Sequence, residues 1–229
     1  INPHFLPRRA LYAALAATAG NLHGRVLDVG CGAQPYRHLL DAATVYVGLE
    51  IDTTANRERG LADHYYDGQR MPYDDGEFDG VLCNQVLEHV FDAETFVAEM
   101  ARVLRPGGCL LLTVPFVWPE HEQPYDARRY TSFGLRALLE PYFRIEHYEK
   151  LTGGTAALAA LLADRINCAL HPLPLPLRIG GRLICVAPVN LLGWLCGTRT
   201  GCDSGFFLDS LVMARRPESR SSRHGAGIV

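Results

Sequence analysis

Apolar and polar positions divide the chain into short apolar runs separated by stretches with helical spacing. RVLDVG, Arg25 to Gly30, reads as an apolar strand ending in a glycine turn, and TVYVGLE, Thr44 to Glu50, repeats the pattern. The segment between them is expected to form a helix that begins near Pro35 and turns Leu39 and Leu40 inward, giving a parallel βαβ unit. FDGVLCN, Phe78 to Asn84, is a third buried strand behind the turn-forming Asp74 to Gly76. CLLLTVP, Cys109 to Pro115, is apolar enough to be covered on both faces. Between these two, Phe96, Val97, Met100, Val103 and Leu104 recur at helical spacing behind a capping Asp92, and Pro106, Gly107 and Gly108 form the stop.

The flanks follow the same logic. Alanine and leucine from Leu11 to Ala19 predict a helix stopped by Gly20 and Asn21. Thr131 is placed to cap a helix with Leu135, Leu138 and Leu139 inward, and Phe143 to Lys150 alternates as a strand. FFLDSLVMAR, Phe206 to Arg215, reads as the last strand. The texture changes over 153–201, where an alanine-rich stretch is followed by HPLPLPL and RLICVAPVNLLGWLCG. Its prolines and glycines are expected to interrupt it before any 18-residue charge-free apolar span forms, so no true transmembrane helix is expected and a cap over a substrate pocket is the preferred reading. A membrane-leaning surface or a homodimer contact competes with it. The division expected is a core of 1–152 and 202–216, an inserted segment at 153–201, and a flexible tail at 217–229.

Composition narrows the class. A chain of 229 residues with 48% hydrophobic content can bury a full core without staples. A net charge of −3 without a long basic block argues for no nucleic-acid partner. Seven scattered cysteines, an odd number without a CxxC pair, suit reduced thiols better than disulfides or zinc, and no metal is expected. The opening residues lack a recognisable cleavage region, so a cytoplasmic location is expected, with membrane association left open by the 153–201 segment.

Candidate chemistry gathers where strands end. Asp28, Gly30, Cys31 and Gly32 sit at a strand-to-helix turn, where close glycines let a ligand approach bare backbone, although a G-x-G can also be a plain tight turn. A nicotinamide fingerprint would need a glycine where Pro35 stands. Glu50, followed by Ile51, can accept both hydroxyls of a ribose; Asp52 can share that work or cap the next turn. The Asp67 carboxylate can accept an adenine amino hydrogen, with Gly68 leaving room for the ring, or DGQ can be a loop turn. Asn84 and Gln85 end a strand at the carboxyl edge of the sheet. His89 either reaches that region or is a hydrogen-bonded structural residue.

VLDVGCG (Val26 to Gly32), VGLEID (Val47 to Asp52), DGQRMPYDDGEFDGVLCNQVLEHV (Asp67 to Val90) and RVLRPGGCLLLTVP (Arg102 to Pro115) together resemble the ordered signatures of class I S-adenosylmethionine-dependent methyltransferases, particularly the type 11 branch. The resemblance implies an α/β, Rossmann-like, seven-stranded and mostly parallel sheet with helices on both faces, an antiparallel last strand, and here a helical, hydrophobic insertion before it. It implies S-adenosyl-L-methionine as cofactor. Asp28, Gly30 and Gly32 would hold its amino-acid part, Glu50 the ribose and Asp67 the adenine, while Asn84 and Gln85 line the methionine. The family usually carries a further glycine where this chain has Gln34, which leaves the loop geometry open.

The acceptor wall is expected in VWPEHEQPYDARRYT, Val117 to Thr131. His121 is the candidate general base, or an exposed loop histidine. Arg129 can bind an anionic acceptor or fix Asp126 in an ion pair, and Tyr125 and Trp118 can stack on a ring or close the core. The expected reaction is O-methylation of a small-molecule glycan or secondary metabolite. Alternatives are N- or C-methylation of a lipid-linked acceptor and a non-catalytic, cofactor-binding assembly module.

Overall fold

The computed structural model describes residues 2–197 and 205–218. Seven strands, β1 (Gly24–Val29), β2 (Ala43–Ile51), β3 (His64–Tyr66), β4 (Phe78–Asn84), β5 (Leu104–Pro115), β6 (Arg144–Gly153) and β7 (Phe207–Arg215), form one sheet in the order β3-β2-β1-β4-β5-β7-β6. The pairs from β3 through β5 are parallel, and β7 runs antiparallel to both β5 and β6. The Rossmann-like, mostly parallel sheet with an antiparallel last strand is therefore present. All strands except β7 end at one edge, where β7 begins, and the order changes direction at β1 and β4, the place at which open α/β sheets bind ligands.

Two layers cover the sheet. α3 (Ala93–Val103) and α4 (Ser132–Leu139) lie on one face. The Asp92 carboxylate accepts from the Thr95 N–H and the Thr131 hydroxyl accepts from the Gly134 N–H, so both expected caps hold. Phe96, Val97, Met100 and Val103 are buried against Val81, Leu110 and Leu112; full burial of each such side chain contributes roughly 1.5–3 kcal/mol. On the other face α1 (Phe5–Thr18) seats Leu11 and Leu15 against Val26, Leu82 and Leu111.

Three expectations change. The β1–β2 connection holds only a 3-10 turn at Arg37–Leu39 rather than a helix, although Leu40 is buried as expected. The short β3 and the helix α2 (Thr54–Arg59) were not anticipated. The prolines of HPLP break the insertion at 171–174, and no 18-residue charge-free span forms because Arg178 and Arg182 lie in the helix that follows, but Pro188 and the glycines do not break that helix. The insertion folds as α5 (Gly154–Leu170), α6 (Leu175–Gly181), a π-helical turn at Arg182–Val186 and α7 (Ala187–Gly197), the last three being one continuous helix. The π turn explains how Pro188 is tolerated. Proline donates no hydrogen bond and crowds the carbonyl four residues back, and a local shift to i→i−5 bonding, seen as Ala187 N–H to the Arg182 carbonyl, relieves that conflict. Small residues let the helices approach: a Cβ on Gly193 would stand 2.5 Å from Ala159 Cβ, and one on Gly197 2.8 Å from Ala156 Cβ. α5 and α7 thus form a hairpin, resting through Leu6, Ala157 and Ala160 on α1 and Leu208. Residues 219–229 of the expected tail and Cys202 lie outside the described residues; the other six cysteines are free thiols.

Candidate active site

The first cluster is built by the turn after β1. Gly30 and Gly32 adopt φ of +70° and +50°. A Cβ on Gly30 would lie 2.4 Å from Val86 Cγ2, so only glycine fits where this turn presses on the segment after β4. A Cβ on Gly32 would meet nothing within 4 Å, so this glycine leaves bare backbone on open space. The Gly30 and Cys31 N–H groups both donate to the Leu49 carbonyl (2.8 and 3.2 Å), and the Gly32 N–H donates to Glu50 Oε2 (2.9 Å). Gln34 takes φ +55°, the conformation a glycine would adopt without strain, and its side chain is held between Leu61 and Arg37.

Glu50 Oε1 accepts from the Ile51 N–H at 3.0 Å. Each carboxylate oxygen has one donor and keeps acceptor capacity for a diol. Ile51 is packed so closely on Gly68 that a Cβ there would stand 2.9 Å from Ile51 Cδ1, which brings the segments carrying Glu50 and Asp67 together. Asp67 is exposed, and its carboxylate accepts from the Gln69 N–H at 2.9 Å. Asp52 is committed elsewhere, in an exposed pair with Arg57. Asp28 is buried and accepts a 2.7 Å hydrogen bond from the Tyr46 hydroxyl. Burial, reinforced by the charge of Glu50, pushes its carboxyl up to about 7 despite that bond. Cys31 is a buried thiol, pushed up to about 12 chiefly by burial. This edge, with bare backbone at Gly32 and the carboxylates of Asp28, Glu50 and Asp67 around it, fits a ligand carrying a diol and positive charge. S-adenosylmethionine carries both, in its ribose and in its ammonium and sulfonium groups.

Across β1, the end of β4 continues the site. Gln85 sits at φ +55°, an uncommon conformation for a side-chain-bearing residue and one seen at functional turns. The Thr113 hydroxyl donates to Asn84 Oδ1 (2.7 Å) and accepts from Gln85 Nε2 (3.3 Å). Gln85 also hydrogen-bonds Asp209, the buried third residue of β7, whose carboxyl burial pushes up to about 7 against the pull of Gln85 and Arg129.

The loop after β5 brings His121, Asp126 and Arg129 together. Asp126 Oδ2 accepts from the His121 backbone N–H (3.0 Å) and lies 3.2 Å from its Nδ1, which is hydrogen-bonded to the Pro119 carbonyl at 3.2 Å, while both carboxylate oxygens take the Arg129 guanidinium at 2.5 and 2.6 Å. The Arg129 hydrogen bonds hold the Asp126 carboxyl well below its ordinary range. Arg129 also donates to the carbonyls of Trp118, Pro119 and Arg128. Its donors are taken up by the loop, the arrangement of the second of its two readings, an ion pair with Asp126; it braces Asp126, and Asp126 anchors the His121 backbone N–H. Tyr125 stands 63% exposed next to Asp126 in the chain, and its backbone N–H donates to the Glu122 carbonyl.

His89 faces His121 edge-on with ring centroids 5.0 Å apart, and its Nδ1 is buried without a hydrogen-bond partner. Between them lies a residue that sequence reasoning missed. Glu88 is fully buried, and neither of its side-chain oxygens has a hydrogen-bond partner. Burial pushes its carboxyl up to about 8, with the charges of Asp209 and Asp126 adding to the effect of burial and Arg129 opposing it. Glu88, His89 and His121 each place a ligand-capable atom within 4.8 Å of the others, a grouping that sequence spacing did not suggest. The only available signals were a glutamate inside the apolar VLEHV and an aspartate inside the apolar FFLDSLV.

The comparisons with known proteins agree with this geometry. Residues 27–112 match the Methyltransf_11 family, described as a methyltransferase domain. An uncharacterized methyltransferase of Mycolicibacterium gilvum is 30% identical over 208 residues, covering 84% of this chain and 76% of its own. A fatty-acid O-methyltransferase of Mycolicibacterium smegmatis is 32% identical over 173 residues, 70% of this chain but only 61% of that protein's length. Among solved structures, the [4+2]-cyclase SpnF superposes with a TM-score of 0.58 at 24% identity, covering 91% of this chain and 80% of SpnF, a likeness of fold alone. The chain belongs to the class I S-adenosylmethionine-dependent methyltransferases.

Proposed function

We propose that this protein transfers the methyl group of S-adenosylmethionine to a hydroxyl oxygen of a small-molecule acceptor, a glycan or secondary metabolite. The observation that carries the reading is the His121–Asp126 dyad, braced by Arg129 and facing His89. When bound, the cofactor supplies an electrophilic methyl on a sulfonium and leaves as a neutral thioether. Asp28, Glu50, Asp67 and the backbone at Gly32 would hold it. The Pro119 carbonyl takes the Nδ1 side of the His121 ring, leaving Nε2 to take the acceptor's hydroxyl proton, and the negative charge of Asp126, 3.2 Å from Nδ1, stabilises the imidazolium that forms. Much of the remaining acceleration comes from orienting the acceptor in line and excluding water.

The fatty-acid O-methyltransferase relative raises a carboxylate acceptor as the neighbouring possibility. A carboxylate has no proton to lose, so it needs no base. A labelled-methyl screen over hydroxyl and carboxylate acceptors, run with the native protein and His121→Asn, separates the two. For a hydroxyl acceptor the substitution lowers kcat about 10²- to 10⁴-fold; an unchanged kcat removes His121 as base. Binding of S-adenosylmethionine without transfer across the screen would instead support an assembly module, a role compatible with a fold that also houses a cyclase.

A second reading is favoured by Glu88, whose two buried oxygens lack partners beside two histidines. A divalent cation held by Glu88, His89 and His121 would lower the acceptor's pKa directly. Loss of transfer on chelation, restored by magnesium or manganese, identifies this route; transfer indifferent to chelator leaves the histidine base.

A further inference from the structure

The helical hairpin of α5 and α6–α7 has two unlike sides. Its inner side is made of small residues, Gly193 and Gly197 against Ala159 and Ala156, and is fixed to the core. The Asn190 side chain donates to the Asn2 carbonyl at 3.1 Å, and the Arg9 guanidinium lies over the Trp194 ring at 5.4 Å. Its outer side is apolar: Leu158, Leu162, Leu177, Leu183, Ile184 and Leu192 are all more than half exposed, Ile184 at 76%. The helix Leu175–Gly197 is long and apolar enough to cross a membrane, yet only 17% of its most apolar stretch is buried, so it is not a core helix. Soluble surfaces scatter exposed leucines singly; a continuous apolar face of this kind marks a contact.

Charge selects the occupant. Within 154–197 the charged residues are Arg165, Arg178, Arg182 and one acid, Asp164, in a chain of net charge −3. Asp164 is buried and paired with His4 at 3.2 Å, so the hairpin presents arginine without exposed carboxylate. A two-fold contact between copies would set these arginine-bearing faces against each other. An anionic bilayer complements them: the exposed Arg165 guanidinium stays at headgroup level while the leucines enter the acyl boundary, with Arg178 and Arg182, the latter bonded to Asn167, adding to the positive field.

We propose that this hairpin seats the protein on a bilayer containing anionic lipid, lying in the interface rather than crossing it because its inner side is occupied by α1 and Leu208. The hairpin shares a cluster with Val117 and Trp118 of the loop that carries His121. Resting on the proposed methyl transfer, this placement makes the acceptor an amphiphile whose polar end reaches His121 from the lipid surface. The membrane contact itself stands without that reading.

The test is co-sedimentation of the full chain with phosphatidylcholine vesicles, with and without phosphatidylglycerol, alongside sedimentation velocity without lipid. The expected result is strong binding to the mixed vesicles, weakened by salt and by Arg165→Glu, and reduced about tenfold or more by Ile184→Glu/Leu192→Glu, which removes two large apolar side chains from the lipid-facing side. These exposed substitutions leave S-adenosylhomocysteine affinity and the melting temperature unchanged, which separates lost docking from lost folding. Protein remaining in the supernatant with mixed vesicles overturns the proposal. So does undiminished binding by the Ile184→Glu/Leu192→Glu variant, or a dimer that the same variant dissolves without any vesicle binding. Methyl transfer to a soluble acceptor is scored separately, so failure of one reading is not mistaken for failure of the other.

Discussion

Glu50→Gln is the sharpest probe of the cofactor cleft. Both oxygens of Glu50 already hold a backbone donor, Gly32 N–H at 2.9 Å and Ile51 N–H at 3.0 Å. An amide keeps one acceptor oxygen and sets an NH2 against the other donor, so one of these bonds is replaced by a donor–donor contact. The ribose diol also loses its charged acceptor. Hydrogen bonds to a charged group contribute roughly 1.5–3 kcal/mol each. Weakening one or two of them therefore predicts a Kd for S-adenosylhomocysteine raised by about 10- to 10³-fold. Calorimetric titration measures this, with a thermal melt to show that the variant is folded. A folded variant with unchanged affinity would refute the assignment of Glu50 to the ribose, and tighter binding of NAD than of S-adenosylhomocysteine by the native chain would refute the cofactor.

Two further outcomes follow from the geometry. Gly30→Ala combines a φ of +70° with a Cβ 2.4 Å from Val86, and should destabilise the protein by about 2–4 kcal/mol in urea unfolding while weakening cofactor binding; Gly32→Ala, with the same sign of φ and open space, should be the milder of the two. The Asp209 carboxyl is raised to about 7 by burial, so its contribution to stability is full below the ordinary aspartate pKa and is lost as pH rises through about 7. The melting temperature of Asp209→Asn without cofactor should accordingly fall less between pH 6 and 8, as about one group's titration is removed; identical pH profiles would contradict the burial of this group.

The sheet was legible because its strands are apolar runs with clear ends: Phe78–Asn84 appears with the boundaries its pattern suggests, and Asp92 and Thr131 cap as their positions require. What failed was local. Between Gly32 and Ala43 the chain is short and carries Pro35, so Leu39 and Leu40 reach the core from a 3-10 turn instead of a helix. α2 has no apolar stripe to announce it, although the Thr53 cap and the left-handed Gly60 after it were readable signals. In the candidate site, the left-handed turn at Gly30 and the place of Glu50 near the end of β2 were readable because residue type and position sufficed. The two readings of Arg129 stayed open in the sequence because its partners, the Asp126 carboxylate and the Trp118 carbonyl, are brought to it by the fold of the loop. Glu88 and Asp209 depend on burial and on neighbours from distant segments, which no periodicity encodes.

The neck of the hairpin has a consequence of its own. Gly153 and Phe207 are direct partners across the β6–β7 ladder, so the whole excursion leaves and re-enters the sheet at a single rung. Two antiparallel strands in that relation can be closed by a turn of a few residues. Everything between that rung and its return can therefore be replaced by such a turn without altering the pairing of β1 to β5, the strands that carry Asp28, Glu50 and Asn84.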